Sequence, residues 1–435
     1  MKSEKVTLFW FRRDLRIEDN RGLYEALSNN VRVLPIFIFD EEILVKLPDQ
    51  DARVSFIHEK LLVLNDELSK KYNTGIALYH GNPQEIFQSL LMSQDIKNVY
   101  TNHDYEPYAI KRDQEISNIL SKSGVEFLTF KDQVIFEKNE VLKNDGDPYV
   151  VYTPYMRKWK ETFNSNTDIP NYQIGNVTKH FYKGDFNKLS LSDIGFKKSN
   201  IEVHPYNISS SLIGNYHQTR DFPAQDGTSL LGPHLRFGTV SIRRLVEKAL
   251  NEKDTTFLNE LIWREFFMQI LYHFPHTTTK SFKPKYDRIN WRNDENEFLA
   301  WCEGKTGYPI VDAGMRQLNN TGYMHNRIRM ITASFLCKHL LIDWRWGEAY
   351  FAQKLLDYEM SSNVGNWQWV AGTGVDAAPY FRIFNPITQI KKFDKDLKYI
   401  NTWVKDLNEF SYPQPIVEHK AARERCLEVY KNALN

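Results

Sequence analysis

Trp367 and Trp369 flank a single glutamine in the run DYEMSSNVGNWQWVAGTG, which spans Asp357 to Gly374 and carries Asn363. Both rings lie among Ser361, Ser362, Gly365, Asn366 and Gly372, small and polar residues that make poor packing material. Neither ring has the periodic apolar partners of a helix stripe, so the run predicts a site shaped around another flat molecule. In NELIWREFF, Glu260, Trp263 and Arg264 fall at i, i+3 and i+4 and share one helix face. A carboxylate beside an indole, with a guanidinium one turn on, is an odd mixture for a buried stripe; a polar edge meeting solvent is the competing reading. In YMHNRIRMITASF, Asn326 and Met330 are one turn apart, with Arg327 and Arg329 on the flanking faces. Taken singly, a Met at helical spacing reads as core.

Gly227, Thr228 and Ser229 precede an apolar helix start. Backbone N–H groups and hydroxyls there suit a phosphate, or serve as a plain cap. Gly304-Lys305-Thr306 ends like a phosphate loop, but Leu299 stands where the leading Gly belongs and the segment lies between helices, which argues against nucleotide hydrolysis. Trp291, Trp344 and Trp367, each taken alone, read as structural.

The elements that must position these residues fall into two groups. Up to residue 131, short apolar runs (VTLFWF, RVLPIFIFD, GIALYHG, NVYTNHDY, VEFLTFKD) alternate with amphipathic helices such as DARVSFIHEKLLVLNDELSKKY, and Asp19 or Asn20 stands ready to cap the first helix. This rhythm predicts an α/β domain, a parallel sheet with helices on both faces. No G-x-G-x-x-G follows the first strand, so the dinucleotide fingerprint is absent there. Residues 132–205, rich in Asn, Asp, Lys, Ser and Gly, read as an interdomain linker. From 206 to 435, apolar residues recur at three- and four-residue spacing and predict an all-α domain.

Hydrophobic content of 42% and charged content of 26% are those of a soluble globular chain, which sets aside disordered and fibrous classes. No apolar run approaches the ~18 residues a membrane helix needs, so no membrane partner is expected. Lys and Arg number 56 against 55 Asp and Glu, so DNA binding would need a local patch rather than a global charge. Cys302, Cys337 and Cys426 share no metal spacing and read as buried free thiols of a reducing cytoplasm; no metal is expected.

Taken together, the segments FWFRRDLRIEDN, RDFPAQDGTSLL, ELIWREF, GKTGYPIVDAGMRQL, HNRIRMITASFL, LLIDWRWGE, NVGNWQW, DAAPYFRIFNP and YPQPIVEHKAARERCLEVY resemble the photolyase/cryptochrome family across nearly the whole chain, most like its class I cyclobutane pyrimidine dimer enzymes. The resemblance implies a helical domain that holds FAD. By position, Tyr216, Thr228, Ser229 and Leu231 would lie near its diphosphate and ribose side. Arg264, Asn326, Arg329, Asp357, Glu359 and Asn363 would surround the rest, with Arg329 and Asp357 paired over the flavin. Asn363 would face the central-ring nitrogen, where a neutral amide both donates and accepts. Plant signalling cryptochromes carry Asp there, so Asn363 leans toward repair. Gly232 stands where the family often has Ser, which removes one hydroxyl contact to phosphate.

The resemblance also implies a substrate. Asn326-Arg327-Ile328-Arg329-Met330 matches the pattern of cyclobutane dimer enzymes, whereas (6-4) enzymes have paired histidines and this chain has only His325 there. Glu260 would hydrogen-bond the dimer, with Asn326 and Met330 beside it and Trp263 and Trp369 as walls for a base flipped out of the stack. Trp291, Trp344 and Trp367 match a tryptophan chain that carries an electron inward to the flavin. Arg220, Arg327 and Arg382 match phosphate-contacting positions, with surface salt-bridging the competing reading. The antenna is left open as a deazaflavin, a flavin or none. The folate contact pair is missing from Tyr105-Glu106-Pro107-Tyr108-Ala109, and His276–Lys280 has no Cys-Lys pair. The expectation is a monomeric enzyme of light-driven dimer repair. A blue-light receptor is the alternative, disfavoured because the chain ends at Asn435 directly after a helix, without the long polar tail of signalling members. A flavin-bearing DNA-binding protein without catalysis is a third reading, opposed by Glu260 and Asn326.

Overall fold

The computed structural model describes residues 5–29 and 31–435. The chain divides into two units; the first is built from residues up to Glu137, with Phe163–His204 and Leu231–Lys248. Its sheet has β1 (Val6–Phe11), β2 (Arg32–Asp40), β3 (Ala77–Gly81), β4 (Ile96–Asn102) and β5 (Glu126–Phe130), ordered β3-β2-β1-β4-β5 and parallel throughout. Side chains alternate across the pleat. Val6, Leu8 and Trp10 pack with Phe87 of helix Pro83–Ser93 and Ile116 and Leu120 of helix Pro107–Lys122. Phe9 and Phe11 pack with Leu23 and Leu27 of helix Arg21–Ser28 and Leu61, Leu64 and Leu68 of helix Ala52–Tyr72. Helices therefore cover both faces, as the unbroken apolar runs of the central strands require.

Of the two candidate caps for the first helix, Asn20 does the capping, its side chain accepting from the Leu23 N–H. Asp19 has other partners. Its carboxylate accepts from Arg243 Nε at 2.9 Å, and Arg243 Nη2 reaches Asp132 at 2.8 Å. Arg16 closes the group with a 2.6 Å bond to Asp132. All four side chains are buried. Burial alone would raise the Asp132 carboxyl, but Arg16 and Arg243 hold it below the usual carboxylate range.

That cluster explains a difference from the sequence reading. The helical domain was expected from 206 onward, yet Leu231–Lys248 belongs to the first unit, where Arg243 neutralises Asp19 and Asp132. The stretch expected as a linker, 132–205, is also shared out. Phe163–His204 joins the first unit and Lys138–Thr162 the second. Within the latter, helix Tyr152–Thr162 buries Tyr155 and Trp159, and both rings bond Glu265 Oε1, at 3.2 and 2.6 Å. Polar flanks hid this helix from periodicity, because three buried aromatic residues make too short a stripe.

The second unit, Lys138–Thr162, Pro205–Leu230 and Ala249–Asn435, is helical. Its largest core joins helices Glu295–Glu303, Pro309–Thr321, Asn326–Ser334, Trp344–Lys354 and Met360–Ala371 through residues such as Trp301, Ile331, Trp344, Phe351 and Trp367. The three cysteines are buried and free, and no helix among the described residues is long and apolar enough to cross a membrane.

Arg243→Ala leaves two carboxylates buried without one of their cations and is expected to cost about 3–5 kcal/mol of stability, measured by denaturant unfolding. Asp132 has a depressed folded pKa, so its contribution is complete above the normal carboxylate range and is lost as pH falls through the folded value. The gap between wild type and variant should therefore narrow in acid. A constant gap, or one under 1 kcal/mol at neutral pH, would show that this cluster does not hold the segment.

Candidate active site

Helix Thr256–His273 turns Glu260, Trp263 and Arg264 toward a cavity of about 470 Å³ in the second unit. Helix Asn326–Ser334 adds Asn326, Arg327, Arg329 and Met330 to its lining, and helix Met360–Ala371 adds Asn363, Trp367 and Trp369. Asp357 and Glu359 come from the turn before that helix, and Tyr216, Arg220 and Thr228 complete the expected residues found there. Residues more than a hundred positions apart thus share one concavity. His325 sets the start of the second of these helices, its Nδ1 accepting from the Arg327 N–H at 3.1 Å. Burial, with Arg329 and Arg327 nearby, lowers its pKa to about 4, so at neutral pH the ring is the uncharged acceptor this cap needs.

The charges lining the cavity are paired. Arg329 Nη2 meets Asp357 Oδ2 at 2.8 Å, and Arg264 Nε meets Glu359 Oε2 at 3.1 Å. Arg327 Nη2 meets Asp221 Oδ1 at 2.7 Å, while Arg220 Nη1 is ion-paired with Glu260 Oε1. The salt-bridging reading of Arg220 and Arg327 therefore describes both as they stand in this structure. Burial raises the Glu260 carboxyl pKa and Arg220 pulls it down, with a net shift upward.

Sequence reasoning missed three contributors. Glu348, the final residue of LLIDWRWGE, accepts from Asn363 Nδ2 through its backbone oxygen at 3.1 Å and its Oε1 at 2.9 Å. Its carboxyl pKa is raised by burial, with hydrogen bonds from Asn363 and Tyr358 opposing. The amide nitrogen is thus committed to Glu348, which leaves the Asn363 oxygen as the group able to accept a bond from a ligand. Tyr152 stacks on Trp263 with centroids 3.6 Å apart and planes 9° apart, so one indole face is already covered by the chain itself. Asp221 is the third, as counter-ion to Arg327. Glu348 was within a quoted motif; nothing in the sequence pointed to Tyr152.

Some expected residues lie elsewhere. Ser229 accepts a backbone bond from Asn207 at 2.9 Å, and the next helix opens at Gly232 with Leu231 at its cap, so neither Thr228 nor Ser229 caps it. Leu231 is buried in the first unit. Arg382 is exposed on a loop, its guanidinium 5.8 Å from the Phe384 ring. Trp291 packs edge-on to Tyr430 at 5.9 Å and Trp344 is buried; neither lines the cavity.

The expectation that Trp367 lacks a stripe is corrected. Ser361, Val364, Trp367, Gln368, Val370 and Ala371 are the buried residues of its helix, and the ring packs against Phe351 at 5.0 Å and Trp301 at 6.2 Å. The small neighbours have a packing cause. A Cβ on Gly365 would overlap the Phe267 ring, and one on Gly347, a turn beyond Trp344, would overlap the Trp367 ring.

Two family models match the chain, DNA photolyase over residues 7–173 and the FAD binding domain of DNA photolyase over residues 257–411. The deoxyribodipyrimidine photo-lyase of Halobacterium salinarum is 36% identical, with 98% of this chain and 99% of that one covered. That of Escherichia coli K12 is also 36% identical, with 98% of each covered. The chain belongs to the DNA photolyase family. Among solved structures, a class III photolyase from Agrobacterium tumefaciens superposes with a TM-score of 0.88 at 33% identity, covering 100% of this chain and 98% of that one. An archaeal photolyase from Sulfolobus tokodaii, described with two FAD molecules, gives 0.80 at 35%, covering 98% and 100%.

The cavity residues fit the FAD that this domain binds. The volume and mixed aromatic and charged lining suit a large flat ligand, and buried Asp357 Oδ1 has no protein partner, leaving an acceptor for a ligand donor. The antenna question stands differently. Glu106, in the segment lacking the folate pair, is held by Arg13 at 3.2 Å and Arg236 at 2.5 Å.

Glu348→Ala removes the side-chain acceptor and leaves the Asn363 amide held by the backbone oxygen alone, so its orientation loosens. The reduced flavin is expected to reoxidise in air several-fold faster after photoreduction, followed by its absorbance. An unchanged rate at equal FAD content would mean that the Glu348 carboxylate does not orient the amide.

Proposed function

We propose that this protein is a light-driven deoxyribodipyrimidine photo-lyase that splits cyclobutane pyrimidine dimers in DNA. The observation that carries the proposal is the meeting of Glu260, Asn326 and Met330 with Asn363, whose amide Glu348 holds, in one cavity of the FAD binding domain. The relatives named deoxyribodipyrimidine photo-lyase, matched over nearly their full length, support it. The class I assignment rests on the Asn326–Met330 pattern.

Bound FAD in its reduced form supplies light-driven electron donation. The chain's own residues do the rest. Arg329–Asp357 and Arg264–Glu359 fix cations and carboxylates around the ligand without a net charge. Asn363 offers its oxygen, held by Glu348, to an N–H of the cofactor. Trp263, backed by Tyr152, and Trp369 wall the space for a flipped pyrimidine pair, where stacking offsets part of the cost of leaving the duplex. Glu260 places a carboxyl against the dimer carbonyls, where a hydrogen bond strengthens as negative charge develops. Trp367 touches both the cavity and the buried core, which suits a relay; Trp344 and Trp291 continue the path outward in this proposal. Arg220, Arg327 and Arg382 take DNA phosphates. We further infer a monomer, and a cytoplasmic location that three buried free thiols support.

Illumination of the reduced protein with a dimer-containing oligonucleotide should restore thymine absorbance; no recovery would move the protein to the blue-light receptor reading. Glu260→Ala is expected to lower repair per photon several-fold with FAD content unchanged, and an unaltered yield would remove Glu260 from its role. Trp367→Phe should abolish photoreduction by external donors yet spare repair by chemically reduced enzyme. Surviving photoreduction would refute the relay.

A further inference from the structure

Glu260, the group proposed to meet the lesion, is not free in this structure, because Arg220 is ion-paired to its Oε1. The two side chains remain 37% and 34% exposed, so the pair sits where an incoming strand can reach it. The neighbouring cation is held more firmly. Arg327 has Asp221 at 2.7 Å on one side and the Phe393 ring 4.4 Å from its guanidinium on the other. Each of these two arginines thus carries a carboxylate counter-ion before any DNA arrives.

A phosphate is a strong competitor for Arg220. It offers a doubly charged-assisted, bidentate partner to a planar guanidinium, and its binding releases counter-ions from the strand. Once Arg220 turns to a phosphate, Glu260 loses its cation. The groups left facing it are Asp221, Tyr216 from helix Ser210–Thr219, and Tyr152 from helix Tyr152–Thr162. Arg264 lies one turn along its own helix, paired with Glu359, and Arg327 is paired with Asp221. Burial and Asp221 already push the Glu260 carboxyl upward, and Arg220 is the opposing influence. A pyrimidine dimer presents carbonyl oxygens. These are acceptors that a carboxylate cannot serve and a carboxylic acid can.

We propose that Arg220 is a displaceable counter-ion: lesion binding moves it from Glu260 to a DNA phosphate, and Glu260 takes one proton from solvent and donates a hydrogen bond to the lesion. The proposal rests on the reading of Glu260 as a lesion contact. One proton leaves the buffer and joins a Glu260 oxygen; no electron moves and no covalent bond in the DNA changes. Product release reverses both steps. DNA affinity and proton uptake are therefore coupled through Arg220, and the protein presents a neutral acid to the dimer only when a strand is bound.

The test is calorimetric titration of the FAD-loaded protein in the dark with a dimer-containing oligonucleotide, in two buffers of different ionisation enthalpy. Wild type should take up close to one proton per complex at neutral pH. Its Kd should weaken with rising pH by up to about tenfold per unit. Glu260→Gln should show no uptake and a flat pH profile. Arg220→Gln, in which Glu260 has no cation to lose when DNA binds, should show less than half the wild-type uptake, and Arg220→Lys should restore it. Equal FAD content and thermal midpoint establish that each variant is folded. Wild-type uptake no greater than that of Glu260→Gln, or full uptake in Arg220→Gln, overturns the proposal. Failure of the underlying reading looks different: Glu260→Ala then repairs as well as wild type. A lowered repair yield in Glu260→Ala, together with absent uptake in wild type, refutes the counter-ion exchange alone.

Discussion

Ionised side chains that line a partly buried cavity must find their opposite charge within it, because desolvation costs several kcal/mol per ion unless a partner and further hydrogen bonds offset it. The helical unit meets this constraint with the pairs Arg220–Glu260, Arg327–Asp221, Arg264–Glu359 and Arg329–Asp357. Each pair joins residues from different elements, so the pairs tie the helices bearing Glu260 and Asn326 to the turns between them, alongside the apolar core. The first unit obeys the same rule in a drier setting, where Asp19 and Asp132 draw Arg243 and its helix into the α/β core.

Charge matching bears on how a chain of net charge +1 handles DNA. Two of its expected phosphate contacts, Arg220 and Arg327, face carboxylates in the cavity lining. In the proposed exchange a phosphate replaces an existing partner, and the freed Glu260, once protonated, is the group that addresses the lesion. Affinity then depends on a difference between two ion pairs, one within the protein and one with DNA. Such an exchange favours a ligand that brings both a phosphate and a hydrogen-bond acceptor at the right separation.

Aromatic packing is the second determinant. Gly347 and Gly365 let rings lie directly against helix backbone, which allows Trp367 to sit in the core and still reach the cavity. Tyr152 closes one face of Trp263 and bonds the Asn259 carbonyl through its hydroxyl at 2.7 Å. A wall so backed loses little side-chain freedom when a base stacks on it. Asn363 is likewise fixed in advance, with Glu348 deciding which end of the amide faces the ligand.

The sequence by itself determined the elements and much of the site's membership. Short apolar runs and period-3.6 apolar patterns are local, so the five strands and their helices, the buried thiols and the shared face of Glu260, Trp263 and Arg264 were legible from the sequence. Motif resemblance supplied Asn326, Arg329, Asp357 and Asn363, which spacing could not connect. Only the tertiary structure decided the partners. Burial of Asp19 and Asp132 assigned Leu231–Lys248 to the first unit, and Glu265 drew the 152–162 helix, expected within a linker, into the second. The same step made Tyr152 a buttress, Glu348 the holder of Asn363, and Arg220 the counter-ion of Glu260. The physical reason is common to all of them. Ion pairs, stacked rings and amide orientation depend on distances between residues far apart in the chain, and no local periodicity encodes those distances.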